Sequence, residues 1–254
     1  MSSSIWTQCG AKPNVAEYRG RPWRIVEDQH HLATRKLVDS VAEHELLERL
    51  IDNAKPPLPE PAAELDYLLS TPFRYPPLKH GSRFGSAVER GIWYGSENPR
   101  TAFAERAYYV LLFLEGTAAA ASLQPLQRTF TAFAVDVRTA AAVDLTLPPF
   151  ASHTPRISAK DTYVSSQQLG RDMRGAGIEA FRFTSARDID EGANVGIFSP
   201  KAFVSPKPKS HQRWSSIATS DHVEFSRQGM AKATVHSFPR ADFLLAGTVP
   251  SPAL

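Results

Sequence analysis

The apolar and polar positions along the chain change their spacing several times, and each change predicts an element. Residues 21–27, Arg-Pro-Trp-Arg-Ile-Val-Glu, read as a short strand entered from a proline. Residues 30–53 hold neither proline nor glycine. Leu37, Val41, Leu47, Leu50 and Ile51 draw a partial apolar face there, which predicts a helix. Pro56, Pro57 and Pro59 close that region, and a short helix is expected over 64–70, limited by Pro72. Residues 72–91, rich in glycine, proline and arginine, read as a loop, and Ile92-Trp93-Tyr94 as a short strand. Asn98 followed by Pro99 is a helix start, a capping side chain and then a residue whose missing N–H is not needed there, so Thr101–Leu114 is expected to be helical. Residues 128–137 partly alternate and predict a strand, 165–175 a helix, and Ile178–Phe183 and Asn194–Phe198 two further strands. His222–Phe225, Ala231–Val235 and Phe243–Ala246 are candidate short strands near the end, and residues 1–20 read as a loose lead-in.

Strands and helices mix without a regular repeat, which argues for an α+β fold rather than a series of βαβ units. Twenty prolines outnumber fourteen glycines and cluster at 56–62, 72–77, 148–155 and 200–208, where regular structure is expected to stop. At 254 residues the chain can bury a sizeable core, and 42% hydrophobic with 22% charged residues excludes a wholly disordered or fibrous protein.

Charge narrows the partners. Lys and Arg number 29 against 26 Asp and Glu, a formal +3 with no clustered basic run, so direct nucleic acid binding is not expected. Cys9 is the single cysteine, which excludes an internal disulfide and a Cys-only metal site and suits a reducing compartment. The first residues carry no basic segment followed by an apolar run, and the apolar stretches Tyr108–Leu114 and Thr117–Leu123 are too short to span a bilayer. A cytoplasmic protein without a membrane partner is the expectation. HExxH, GxGxxG and GxxxxGK[ST] are absent, and Ser96 in Tyr-Gly-Ser-Glu-Asn is not a GxSxG nucleophile, so no metal is assigned.

Two segments stand out chemically. Between 74 and 105, Arg74, Arg83, Arg90 and Arg100 surround Gly81, Gly85, Gly91, Gly95, Phe84, Trp93 and Tyr94. Glycine admits close backbone approach, arginine grips phosphate in two-pronged fashion, and aromatic faces stack on rings. That mixture suits a ligand with phosphates and flat bases, and equally a surface loop of solvated arginines beside a core strand. Within 177–198, a strand ends in Thr184-Ser185-Ala186-Arg187 and returns through Gly192 and Asn194. Polar residues at a strand end can line a site, or simply cap their own turn.

These segments together resemble the RES-domain proteins, a family named for an arginine, a glutamate and a serine. Trp23-Arg24-Ile25 is similar to the family's opening strand. Gly81-Ser82-Arg83-Phe84 with Gly91-Ile92-Trp93-Tyr94 resembles its second arginine and tyrosine. Thr101-Ala102-Phe103-Ala104-Glu105 resembles the small-residue helix ending in its glutamate, and Thr184-Ser185-Ala186-Arg187 with Gly192, Asn194 and Phe198 its serine segment. The shorter members carry an asparagine soon after the second arginine, where Phe84 and Gly85 stand here, and residues 27–72 and the tail are additional. The resemblance implies a RES domain over 21–204 behind the lead-in 1–20, with a tail, 205–254, packed on it. It implies an ADP-ribosyltransferase-like α+β fold, with small mixed β-sheets and flanking helices framing an NAD cleft. It further implies a toxin of a bacterial toxin–antitoxin pair that degrades NAD at the nicotinamide–ribose bond, as an NAD phosphorylase or glycohydrolase. Protein ADP-ribosylation is the alternative, and a non-catalytic NAD-binding module the third reading.

NAD would be substrate, with inorganic phosphate as the co-substrate of phosphorolysis and no permanently bound cofactor. The implied partner is an Xre-type helix-turn-helix antitoxin, with a homodimer among the assemblies such a complex allows. Breaking the bond builds positive charge on the ribose while the nicotinamide leaves from an already cationic ring, so no general acid is required and a carboxylate near the ribose can stabilise the charge. That role falls to Glu105. Arg24 and Arg83 would hold pyrophosphate or phosphate, Tyr94 would pack on nicotinamide or ribose, and Ser185 would bond the ribose or amide. Asn194 and Arg187 are weaker candidates, left outside the catalytic set.

Overall fold

Trp23–Glu27 is a strand near the middle of a mixed sheet, and the rest of the molecule is arranged around it. The computed structural model describes residues 4–10, 14–28, 37–75, 81–117, 125–227, 229 and 234–251. Ten strands are hydrogen-bonded into a single sheet: β1 (Val15–Gly20), β2 (Trp23–Glu27), β3 (Trp93–Ser96), β4 (Leu126–Ala134), β5 (Val137–Asp144), β6 (Ala180–Thr184), β7 (Ala193–Ile197), β8 (Ser210–Ala218), β9 (His222–Arg227) and β10 (Val235–Pro239). Their order is β1-β5-β6-β7-β3-β2-β4-β8-β9-β10, and only the β5–β6 pairing is parallel. The α+β class is found. The several small sheets that the resemblance implies are here one continuous sheet, because β2 pairs with β3 on one side and β4 on the other.

Six α-helices flank the strands among the described residues: α1 (Ile5–Gln8), α2 (Val41–Ala54), α3 (Tyr67–Arg74), α4 (Pro99–Glu115), α5 (Thr154–Ile157) and α6 (Val164–Gly175). The start of α4 follows the sequence signal, with Asn98 Oδ1 accepting from the Arg100 amide at 2.8 Å and Pro99 in the first turn. Nearly every side of α4 is apolar because it lies across several strands, burying Phe103, Ala107, Tyr108, Val110, Leu111 and Leu114. Phe103 sits between Trp214 and Phe225, with ring centroids 4.5 and 4.9 Å away. A second cluster gathers Phe84 against Phe181 and Phe183, at 4.5 and 4.8 Å, beneath α6. A third packs α3 under Trp93, Phe133 and Val195. No described helix is long and apolar enough to cross a membrane.

Several elements differ from the sequence reading, each for a physical reason. The lead-in is not loose throughout: Val15–Gly20 pairs with β5, and Ile5 is buried. Its pattern of exposed edge residues offers no alternation to read. The expected strand 128–137 is two strands, β4 and β5, that turn at Val135 and Asp136, where Arg21 Nε donates to Asp136 at 2.5 Å. Helix α2 begins at Val41, capped by reciprocal bonds between Ser40 and Glu43, while residues 30–36 of the expected helix lie outside the described residues. Pro72 does not limit α3, which runs through it because Leu69 and Phe73 are buried on either side. β8 escaped notice because its inward positions include Gln212 and Ser216. Phe243–Ala246 is a 3₁₀ turn followed by a tight turn with positive φ at Ala246 and Gly247, which no strand accommodates. Ala231–Val235 lies mostly outside the described residues, and β10 begins at Val235.

Candidate active site

β2 and β3 share only one residue pair, Trp23 with Ser96, so the sheet opens between them beside α4. A cavity of about 260 Å³ fills the opening. Ala102, Glu105, Arg106 and Tyr109 line one wall, at the three- and four-residue steps of one helix face. Small Ala102 leaves room beside Glu105. Arg24, Tyr94, Ser96, Asn194, Arg83 and Tyr163 line the rest.

Glu105 is the best-held group. Its Oε1 accepts from Ser185 Oγ and from Asn194 Nδ2, each at 2.6 Å. Ser185 is itself oriented, because its Oγ accepts from the amides of Arg187 and Asp188 at 3.1 Å and so turns its hydrogen to the carboxylate. The serine caps its own turn and, through the same oxygen, donates to Glu105 on the cavity wall. Asn194 is buried opposite Ser96 on β3, whose Oγ donates to Asn194 Oδ1 at 2.6 Å. The sequence reading left Asn194 aside; its place at the start of a strand returning from the serine turn was the available signal.

Asp188 fixes the serine turn to α4. Its Oδ1 accepts from Arg100 at 2.5 Å and its Oδ2 from Thr101 Oγ1 at 2.7 Å. Arg187, almost fully buried, donates to the Lys160 carbonyl and lies 3.7 Å over the Tyr108 ring. It backs the site and does not line the cavity.

The remaining residues fall into two groups. Arg24 donates Nη1 to the Tyr94 carbonyl at 3.0 Å and stands 5.5 Å over Trp93. Burial and then the nearby Arg106 lower its pKa to about 10, which leaves it charged at neutral pH. Arg83 lines the cavity but donates to the carbonyls of Ala159 at 2.7 Å and Ile157 at 3.4 Å, and its guanidinium lies 4.9 Å from the Tyr163 ring centroid. It ties the 157–159 segment to the site wall. The Tyr94 hydroxyl meets Ser82 Oγ at 3.0 Å and accepts from the Phe84 amide at 3.2 Å, so this tyrosine braces the Arg83 loop.

Burial pushes the Tyr94 pKa up to about 12. An unfolded chain loses that proton near pH 10. Below pH 10 both states keep it and its stabilisation is complete. Above, the unfolded state sheds the proton first, so stability falls as pH rises to about 12. Tyr94→Phe should therefore lose less stability than wild type between about pH 9.5 and 11.5, read from urea midpoints. Identical slopes would show that Tyr94 does not carry this titration.

A family model of the RES domain matches residues 58–217, more than half of the chain. The chain belongs to the RES-domain family. Arg83, Tyr94, Glu105, Ser185 and Asn194 fall inside the matched span of this RES protein, and Arg24 lies before it on β2. Among solved structures, the MbcT–MbcA toxin–antitoxin complex of M. tuberculosis is similar at 13% identity, covering 81% of this chain and 87% of that chain, with a TM-score of 0.46. No curated protein matches the RES chain.

Proposed function

We propose that this RES protein is the toxin of a bacterial toxin–antitoxin pair and degrades NAD by cleaving the nicotinamide–ribose bond. The observation that carries the reading is Glu105, a carboxylate on a cavity wall with one oxygen held by Ser185 and Asn194. Two donors on Oε1 lock the rotamer and leave Oε2 without a hydrogen bond among the described residues. That oxygen is suited to a ribose hydroxyl, and its charge to a sugar becoming cationic. The nicotinamide leaves with the bonding electrons and becomes neutral, so no proton need be supplied. Tyr94 and Phe183, with ring centroids 6.3 Å apart at 80°, offer an apolar corner for a flat ring. Arg24 supplies positive charge for phosphate oxygens. An Xre-type antitoxin covering the cleft would stop turnover by excluding NAD.

The test is incubation of the purified chain with NAD, with and without inorganic phosphate, following products by mass. Nicotinamide with ADP-ribose-1″-phosphate, only when phosphate is present, would establish phosphorolysis. Nicotinamide with free ADP-ribose in either buffer would establish hydrolysis. Undiminished NAD in both buffers would sink the reading.

A further inference from the structure

The cavity face of α4 carries a second charged side chain, Arg106, one residue beyond Glu105. Arg106 lies 5.1 Å from the Phe130 ring centroid, donates Nη2 to Glu27 at 3.3 Å, and has its Nε buried with no acceptor. Glu27 is shared, because Arg128 reaches both of its oxygens at 2.9 and 2.7 Å. Arg24, on the same wall, has its hydrogen bond to the Tyr94 carbonyl and meets no carboxylate among the described residues. Two guanidiniums, Arg106 and Arg128, thus share one carboxylate, Glu27, while Arg24 and Arg106 line the same cavity. Burial first, and then the positive field of Arg106, eases proton loss from Arg24. Like charges held together in a half-buried cleft are unfavourable until an anion joins them. Arg83, by contrast, is tied to the carbonyls of the 157–159 segment.

We infer that Arg106, together with Arg24, forms the subsite for the diphosphate of the substrate, so that Arg106 selects a dinucleotide over a bare nucleoside. This rests on the NAD-cleaving reading above. A diphosphate diester carries two negative charges, one for each of the guanidiniums of Arg24 and Arg106 on this cavity wall. The unpartnered Nε–H and the weakly held Nη2 are the donors it would take. Glu27 is then a competitor for the same guanidinium, and its removal should act in the opposite direction.

Three variants of the full chain test this: Arg106→Gln, Arg106→Lys and Glu27→Gln. Nicotinamide release is followed from NAD and from nicotinamide riboside, which has no phosphate, and ADP-ribose affinity is measured by calorimetry. Arg106→Gln should raise KM for NAD and Kd for ADP-ribose about tenfold or more, with kcat little changed and the riboside unaffected. Arg106→Lys should fall between it and wild type, and Glu27→Gln should lower KM. Equal ADP-ribose affinity in wild type and Arg106→Gln overturns the assignment. So does a parallel loss on both substrates, which marks a merely structural arginine. A wild-type chain that neither cleaves NAD nor binds ADP-ribose removes the NAD reading itself, and the subsite with it.

Discussion

Glu105→Gln should slow nicotinamide release from NAD by roughly 30- to 100-fold or more, a barrier increase of at least about 2–3 kcal/mol. Glutamine keeps the shape and an acceptor oxygen for Ser185 Oγ and Asn194 Nδ2, so the local geometry survives. Only the negative charge is lost. A charge that stabilises the forming ribosyl cation matters more in the transition state than in the bound substrate, so kcat should fall while KM stays nearly constant. Steady-state kinetics with an unfolding curve on the same preparation decide it. Turnover close to wild type in a folded Glu105→Gln chain would move the catalytic role elsewhere.

Gly192→Ala should be strongly damaging to the serine turn. A Cβ there would stand 2.1 Å from Thr101 Oγ1 and 2.8 Å from Asp188 Oδ2. Both atoms belong to the buried bond that clamps the serine turn to α4, at 2.7 Å. Neither can retreat freely, because Thr101 is in the first turns of a packed helix and Asp188 also holds Arg100. Overpacking and a strained buried carboxylate together should cost roughly 2–4 kcal/mol. The Gly192 carbonyl accepts from the Ser185 amide at 2.8 Å, so displacement of the glycine also displaces the serine from Glu105. The urea midpoint should drop, and residual activity per folded molecule should drop with it. An unchanged midpoint would show that the turn has slack that these distances deny.

Much of the candidate site was legible because its signals are local. Asn98-Pro99 opens α4 where expected, and Glu105 follows at a position set by helix periodicity. Trp23–Glu27 and the β6–turn–β7 hairpin were also readable, since strand ends and turns announce themselves within a few residues. Arg106 was not singled out, although Ala102, Glu105, Arg106 and Tyr109 share a face that helical spacing alone predicts. Arg83 was assigned to phosphate from the family resemblance and its residue type; its hydrogen bonds to carbonyls more than seventy residues away had no local signal.

The chain's own order of residues determined the α+β class, the helix bearing Glu105, the serine turn and the family, because caps, turns and periodicity act through neighbours in sequence. Tertiary structure alone decided that β2 and β3 part after one residue pair to open a cavity, and that Ser185 and Asn194 meet one oxygen of a glutamate some eighty residues earlier. It also decided that Arg24 and Arg106 share one cavity wall. Strand order and helix placement set those meetings, and they follow from how whole faces are buried rather than from any short stretch of residues.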